Sequence, residues 1–222
     1  MSQPTHTNQT NWSIDYEAID PIRIRDPVAE ALAVLEPGEP FVISYADVVT
    51  AAGHSCPTAA GAYRITQLGL EALYPGTELP VRSDIVVTAG GPKDDAAYGV
   101  MSRLVSYVTG AAEEDGFGGL AGGYGDRRNH LHFDDLEADG LTFSFERSDT
   151  DDVVRVTYHV SDVPDAGPTT QYLGKCIDGE ATAEERAAFA EAWHGRVRTV
   201  LTDDDLFTVE RTGDGARTVT RD

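Results

Sequence analysis

Helical patterning recurs in five parts of the chain. Between Asp26 and Leu35 apolar positions fall at Val28, Ala31, Leu32 and Leu35, behind an Asp cap and a proline at the first helical position; Pro37-Gly38 closes the segment. Ser44, with Asp47 three residues on, opens a second helix that should stop at Gly53. Pro57 begins a third, with Ala59, Ala62, Tyr63, Thr66, Leu70 and Leu73 on one stripe as far as Pro75-Gly76. So many small residues on one face predict close approach by another element. The segment 182–201 is the clearest helix, with Thr182 as cap, Glu185 at the third position and a stripe of Phe189, Trp193, Val197 and Val200. Residues 94–109 form a further helix, which Asp94 and Asp95 begin as cap and first-turn acid.

Between these helices the period changes to two. Residues 81–89, 141–147 and 153–160 read as strands, the last two joined by the turn SDTDD as a hairpin. A polar hairpin is expected in the tail, around 212–215. Residues 1–18 are polar and expected to be flexible. No repeat and no linker divides the remainder, so 19–222 is expected to be a single α+β domain with a polar C-terminal tail.

Composition narrows the partners. Acidic residues outnumber basic ones 38 to 17, for a net charge of −21, and Lys93 and Lys175 are the only lysines. Such a surface repels phosphate backbones and anionic lipid, which excludes nucleic-acid and membrane partners from the expectation. No apolar run is long enough to span a bilayer, and the first twenty residues have neither the basic nor the apolar region of a secretory signal. A cytoplasmic protein is expected. Two distant cysteines, Cys56 and Cys176, do not form a disulfide framework.

The candidate chemistry lies in AAGHSCPTAAGAYR, residues 51–64. Cys56 occupies the cap position of the helix that Pro57 starts. Free backbone N–H groups and the positive end of the helix dipole there favour thiolate, the form that binds metal or attacks carbon and sulfur. His54 lies two residues earlier, and in extended backbone positions i and i+2 face the same way. An imidazole and a thiolate together suit zinc or a comparable divalent transition metal; a buried cysteine that simply packs is the competing reading. A second pair, His130 and His132 in RRNHLHFDD, would point together if Leu131 packs inward. That pair could ligate metal or, beside Arg127 and Arg128, form an anion-binding edge. The loop GFGGLAGGYG at 116–125 lacks the Lys-Ser/Thr terminus of a phosphate loop and reads as glycines needed for backbone conformation. His6, His159, His194 and Cys176 read as surface or packing residues, and Phe189 and Trp193 as core.

At GHSCPTAAGAYR the chain resembles the FmdE-like proteins, a family that takes its name from a component of formylmethanofuran dehydrogenase. Gly53, His54, Cys56, Pro57, Gly61 and Arg64 match the family pattern, and the resemblance extends over about residues 40–202. It implies helices packed on a mostly antiparallel sheet, a homodimer, and a metal at the His-x-Cys segment. Three positions depart from it. Ala52 replaces the first family histidine, Thr58 stands where glycine is common, and Pro92 stands where a second cysteine precedes Asp95-Ala96. The C-terminal four-cysteine finger of some members is missing, since Cys176 is the only cysteine after Cys56. A metal at His54 and Cys56 would therefore be completed by His130, His132 or the other protomer. Three functions stay open: a metal-binding protein catalytic at a dimer interface, an accessory or metal-handling module of a larger redox enzyme complex, and a metal-free thiol enzyme with His54 as base and Cys56 as nucleophile.

The acid-rich, lysine-poor surface also predicts a halophilic type of stability, because counterions screen its self-repulsion. The thermal midpoint is expected to rise from dilute buffer to molar KCl; a midpoint indifferent to KCl would refute this.

Overall fold

The computed structural model describes residues 10–16, 19–165, 167 and 170–212. Seven strands and six helices alternate irregularly among them: β1 (Ile22–Ile24), α1 (Pro27–Ala31), β2 (Phe41–Ile43), α2 (Tyr45–Ala52), α3 (Pro57–Leu73), β3 (Ile85–Ala89), α4 (Ala96–Thr109), β4 (Leu131–Phe133), β5 (Leu141–Arg147), β6 (Val153–Tyr158), α5 (Thr170–Asp178), α6 (Ala183–Thr202) and β7 (Phe207–Thr212). The main sheet has the order β4-β3-β5-β6-β7 and is antiparallel except where β4 runs parallel to β3. An antiparallel pair of β1 and β2 forms a second, small sheet. The fold is α+β, as expected.

Register assigns the two faces of the main sheet. Val87 pairs with Phe145 and Ala89 with Phe143; Phe143 pairs with Val156, Phe145 with Val154, and Tyr158 with Phe207. All of these are buried. The alternate rows, Thr88–Ser144–Arg155–Glu210, form the opposite, polar face. Period-two patterning thus gives the sheet one apolar face, on which α3 packs.

Helix α3 lies across the apolar face and also contacts α2, α4 and α6. Ala59, Ala60, Ala62, Tyr63, Ile65, Thr66, Gln67, Leu70 and Leu73 are all buried, so the buried surface of the helix is wider than the predicted stripe and leaves only a strip at Arg64, Leu68 and Glu71 turned outward. Its polar members are satisfied: the Tyr63 hydroxyl and Gln67 Nε2 donate to the Asp20 carbonyl at 2.8 and 3.0 Å, and Thr66 Oγ1 donates to Ala62 O. Two glycines set the approach to the sheet. A Cβ at Gly61 would stand 2.5 Å from Tyr158 Cε1, and one at Gly69 would stand 2.5 Å from Phe145 Cδ2. The aromatic rings rest on bare helix backbone.

A buried carboxylate ties the periphery together. Asp26 caps α1 through Val28 N and Ala29 N, and also accepts from Arg82 Nη1 at 3.3 Å and Arg127 Nη2 at 2.6 Å. Arg127 leaves the glycine-rich loop, where Gly119, Gly122, Gly123 and Gly125 all have positive φ. The conformational reading of those glycines holds.

Several sequence expectations shift at their edges. The first helix stops at Ala31, since Leu32 leaves helical geometry and Ala33 takes φ 55°. A short 3-10 turn at 82–84 precedes β3, and Asp95 alone caps α4. Residues 207–212 form β7 against β6, while the expected tail turn extends outside the described residues, as do positions 1–9, 17 and 18. Helix α5 and strands β1, β2 and β4 had no sequence expectation; three-residue strands are too short to display a period.

Gly69→Ala is expected to destabilise the protein by about 1–3 kcal/mol, because a rigid ring rather than a flexible chain end blocks the methyl. Gly195→Ala, with nothing within 4 Å of its Cβ position inside α6, is expected to stabilise by up to about 1 kcal/mol. Urea midpoints of the two variants measure both; an equal response would remove the packing explanation.

Candidate functional site

Helix α2 ends at Gly53, whose φ of 76° reverses the chain. His54 follows at the surface, with Nδ1 3.1 Å from the Ala52 carbonyl oxygen. A carbonyl only accepts, so Nδ1 carries a proton, and in the neutral imidazole Nε2 then keeps its lone pair. Cys56 is extended (φ −151°, ψ 165°) and caps α3, its Sγ accepting from Ala59 N at 3.4 Å. The expected local mechanics hold: Gly53 turns, Pro57 starts the helix, and Cys56 caps it.

The residue between the two candidates fixes the turn. Ser55 Oγ is 3.1 Å from the Tyr45 hydroxyl, and the Ser55 carbonyl accepts from Trp193 Nε1 at 2.8 Å. Tyr45 is fully buried, and burial raises its hydroxyl well above the ordinary phenol range. Trp193 reaches the turn from α6, 138 residues away. The turn is therefore held from α2 on one side and α6 on the other.

Two further side chains lie in this region. Tyr158, the last residue of β6, is 1% exposed, lies against Gly61, stacks on Phe207 and has no partner for its hydroxyl among the described residues. Burial pushes that hydroxyl up to about 12; Arg196 works against the rise and Cys56 adds to it, which places both within electrostatic reach. Arg196, three residues beyond Trp193 on α6, is half-buried, and its Nε is enclosed without a partner.

His130 and His132 flank Leu131 in the edge strand β4, with Leu131 buried as expected. His132 is exposed; His130 is half-buried, with Nδ1 lacking a described partner. Burial lowers the His130 imidazole below its usual range; nearby Asp126 opposes this and His132 reinforces it. Strands β3 and β5 separate β4 from β6. With about 4.8 Å per strand and 3.3 Å per residue along the register, the pair sits roughly 20 Å from the Tyr158 end of the sheet. His54 and Cys56 stay neighbours along one turn and His130 and His132 along one strand, and the structure does not bring the two pairs together within one chain. No three His, Cys, Asp or Glu side chains converge as a metal-ligating group among the described residues.

The remaining expectations resolve simply. His159 Nε2 is 2.7 Å from Thr208 Oγ1, Cys176 is a half-buried free thiol on α5, and Phe189 stacks on Trp193 at 5.7 Å. Sequence reading missed Ser55, Tyr45, Tyr158 and Arg196. Trp193 carried one usable signal: an indole N–H near a core needs an acceptor.

Compared with known proteins, the chain matches no family model and no curated protein. No helix among the described residues is long and apolar enough to cross a membrane.

His130 and His194 share a pH consequence. Burial is the main cause that lowers both imidazoles, so the folded state binds their protons less tightly than the unfolded chain does. Their stabilising contribution is present above the free imidazole value of about 6.5 and is lost as pH falls through the lower folded values. Urea midpoints are expected to drop between about pH 7.5 and 5.5, with a shallower drop in the His130→Gln, His194→Gln double variant. An identical drop in that variant would exclude these residues as the source.

Proposed function

We propose that this chain is a metal-binding protein of the FmdE-like type, with His54 Nε2 and Cys56 Sγ as its donors and zinc as the metal. The observation that carries this reading is the His54 Nδ1–Ala52 hydrogen bond. It fixes the tautomer and leaves Nε2 free at the surface, the arrangement in which metal-ligating histidines are usually held. Cys56 supplies a sulfur at a helix N-terminus, where negative charge is favoured. Together they make a borderline-soft nitrogen–sulfur pair suited to zinc.

One chain contributes two donors and a tetrahedral site takes four. The same pair from a second copy, related by a two-fold axis at this exposed turn, would complete a His2Cys2 set. A homodimer with the metal at its interface follows from this reading. A metal held there with an open position would polarise a small substrate or activate water; with the position closed, the site would serve metal handling for a larger redox enzyme complex. Turnover by the isolated, loaded protein separates these two roles.

Protein purified without a histidine tag is expected to hold about one zinc per two chains and to elute as a dimer. His54→Ala and Cys56→Ser are each expected to lose the metal, while His130→Ala keeps it. Metal retained in full by both His54→Ala and Cys56→Ser would refute the assignment.

A further inference from the structure

Strand β1 pairs with β2 along one edge only. Beyond the pair, Arg25 turns its backbone the other way: its N–H donates to the Pro80 carbonyl at 2.8 Å, and its carbonyl accepts from Arg82 N at 3.0 Å. Backbone polar groups alternate in direction along a strand, so the N–H and C=O of Arg23 point the same way as those of Arg25, away from β2. No group among the described residues bonds to either. A cleft of about 380 Å³ opens beside Arg23, with the last turns of α3 and the segment 76–80 as its other walls. Its floor is apolar: Leu70 and Tyr74 are 2% and 3% exposed, and Leu79 is half-buried. The Arg147 guanidinium lies 4.1 Å from the centre of the Tyr74 ring and donates to both Glu78 oxygens at 2.9 Å, so floor and wall are braced together. Exposed Arg23, Glu71 and Glu78 place both signs of charge at the mouth.

A strand residue with a free N–H and a free C=O on one side is half of a hydrogen-bonded pair. We infer that this cleft binds a free α-amino acid with a large apolar side chain, which supplies the other half. The ligand carboxylate accepts from the Arg23 N–H and the ligand ammonium donates to the Arg23 carbonyl, both as charge-assisted bonds. The side chain then covers Leu70, Tyr74 and Leu79, where apolar contact contributes affinity. Size fits a single residue, since small-ligand sites begin at about 300 Å³. Charge selects the zwitterion. At a net charge of −21 the protein repels an anion at long range, and a cation meets Arg23 at the mouth; a molecule with both signs and no net charge meets neither obstacle.

L-phenylalanine is titrated into metal-free protein in molar KCl and followed at the Leu70 and Leu79 methyl resonances. Saturable shifts are expected. N-acetyl-L-phenylalanine amide, which keeps the side chain and loses both charges, should bind at least about tenfold more weakly. Arg23→Pro removes the N–H, which an outward-facing edge position tolerates, and should lower affinity at least about tenfold. Arg23→Gln keeps the backbone and should stay within about threefold of wild type. Leu79→Asp should abolish binding, with Leu32→Asp, an exposed apolar position outside the cleft, as the unchanged control. Equal urea midpoints of the two Arg23 variants separate loss of the donor from loss of fold. Shifts that do not saturate, equal affinity for the blocked amide, a loss in Arg23→Gln as large as in Arg23→Pro, or undiminished binding in Leu79→Asp would overturn the inference. The cleft lies at the far end of α3 from Cys56, more than about 20 Å along the helix axis. His54→Ala should therefore bind as wild type, which keeps this test separate from the metal assignment.

Discussion

The contact on which the architecture depends is the seating of α3 on the main sheet through two glycines. Gly61 and Gly69 let the rings of Tyr158 and Phe145 meet helix backbone where any other residue would interpose a Cβ. Helix and sheet then approach closely enough that α2, α4 and α6 can pack on further faces of α3. A helix buried over most of its circumference must carry small and apolar residues over that surface, and its few buried polar side chains must find partners within the core. Tyr63 and Gln67 do so on the Asp20 carbonyl.

That seating also places the candidate site. Tyr158 presses on Gly61, little more than one turn beyond Cys56, so the end of β6 and the start of α3 meet at one point. Trp193 then binds the Ser55 carbonyl, and Tyr45 meets its hydroxyl. A turn held by packing on one side and hydrogen bonds on two others can present His54 and Cys56 in fixed orientation. Rigid support of this kind is what a metal-binding pair needs.

Electrostatics follow the same division. Most of the excess negative charge is at the surface, where water and salt screen it. Inside, charge is paired with charge, as where Arg82 and Arg127 share Asp26.

Local rules account for what was legible beforehand. Cap residues, glycine stops and apolar periods depend on neighbours within a few positions, so Ser44, Cys56, Asp95 and Thr182 marked their helices, and the β5–β6 hairpin was readable from alternation and its turn. Cys56 and His54 stood out for the same reason: their chemistry and spacing are local. The sequence alone therefore determined the α+β class, the main helices, the central hairpin and the His54–Cys56 turn. Tertiary structure decided everything that joins distant positions: the order β4-β3-β5-β6-β7, burial of α3 well beyond its predicted stripe, the gap between the His54–Cys56 and His130–His132 pairs, and the placing of Tyr45, Tyr158 and Trp193 against the turn and the first turns of α3. Those contacts depend on close packing between elements up to 138 residues apart, and periodicity shows which face a residue occupies but not which residue it will meet there.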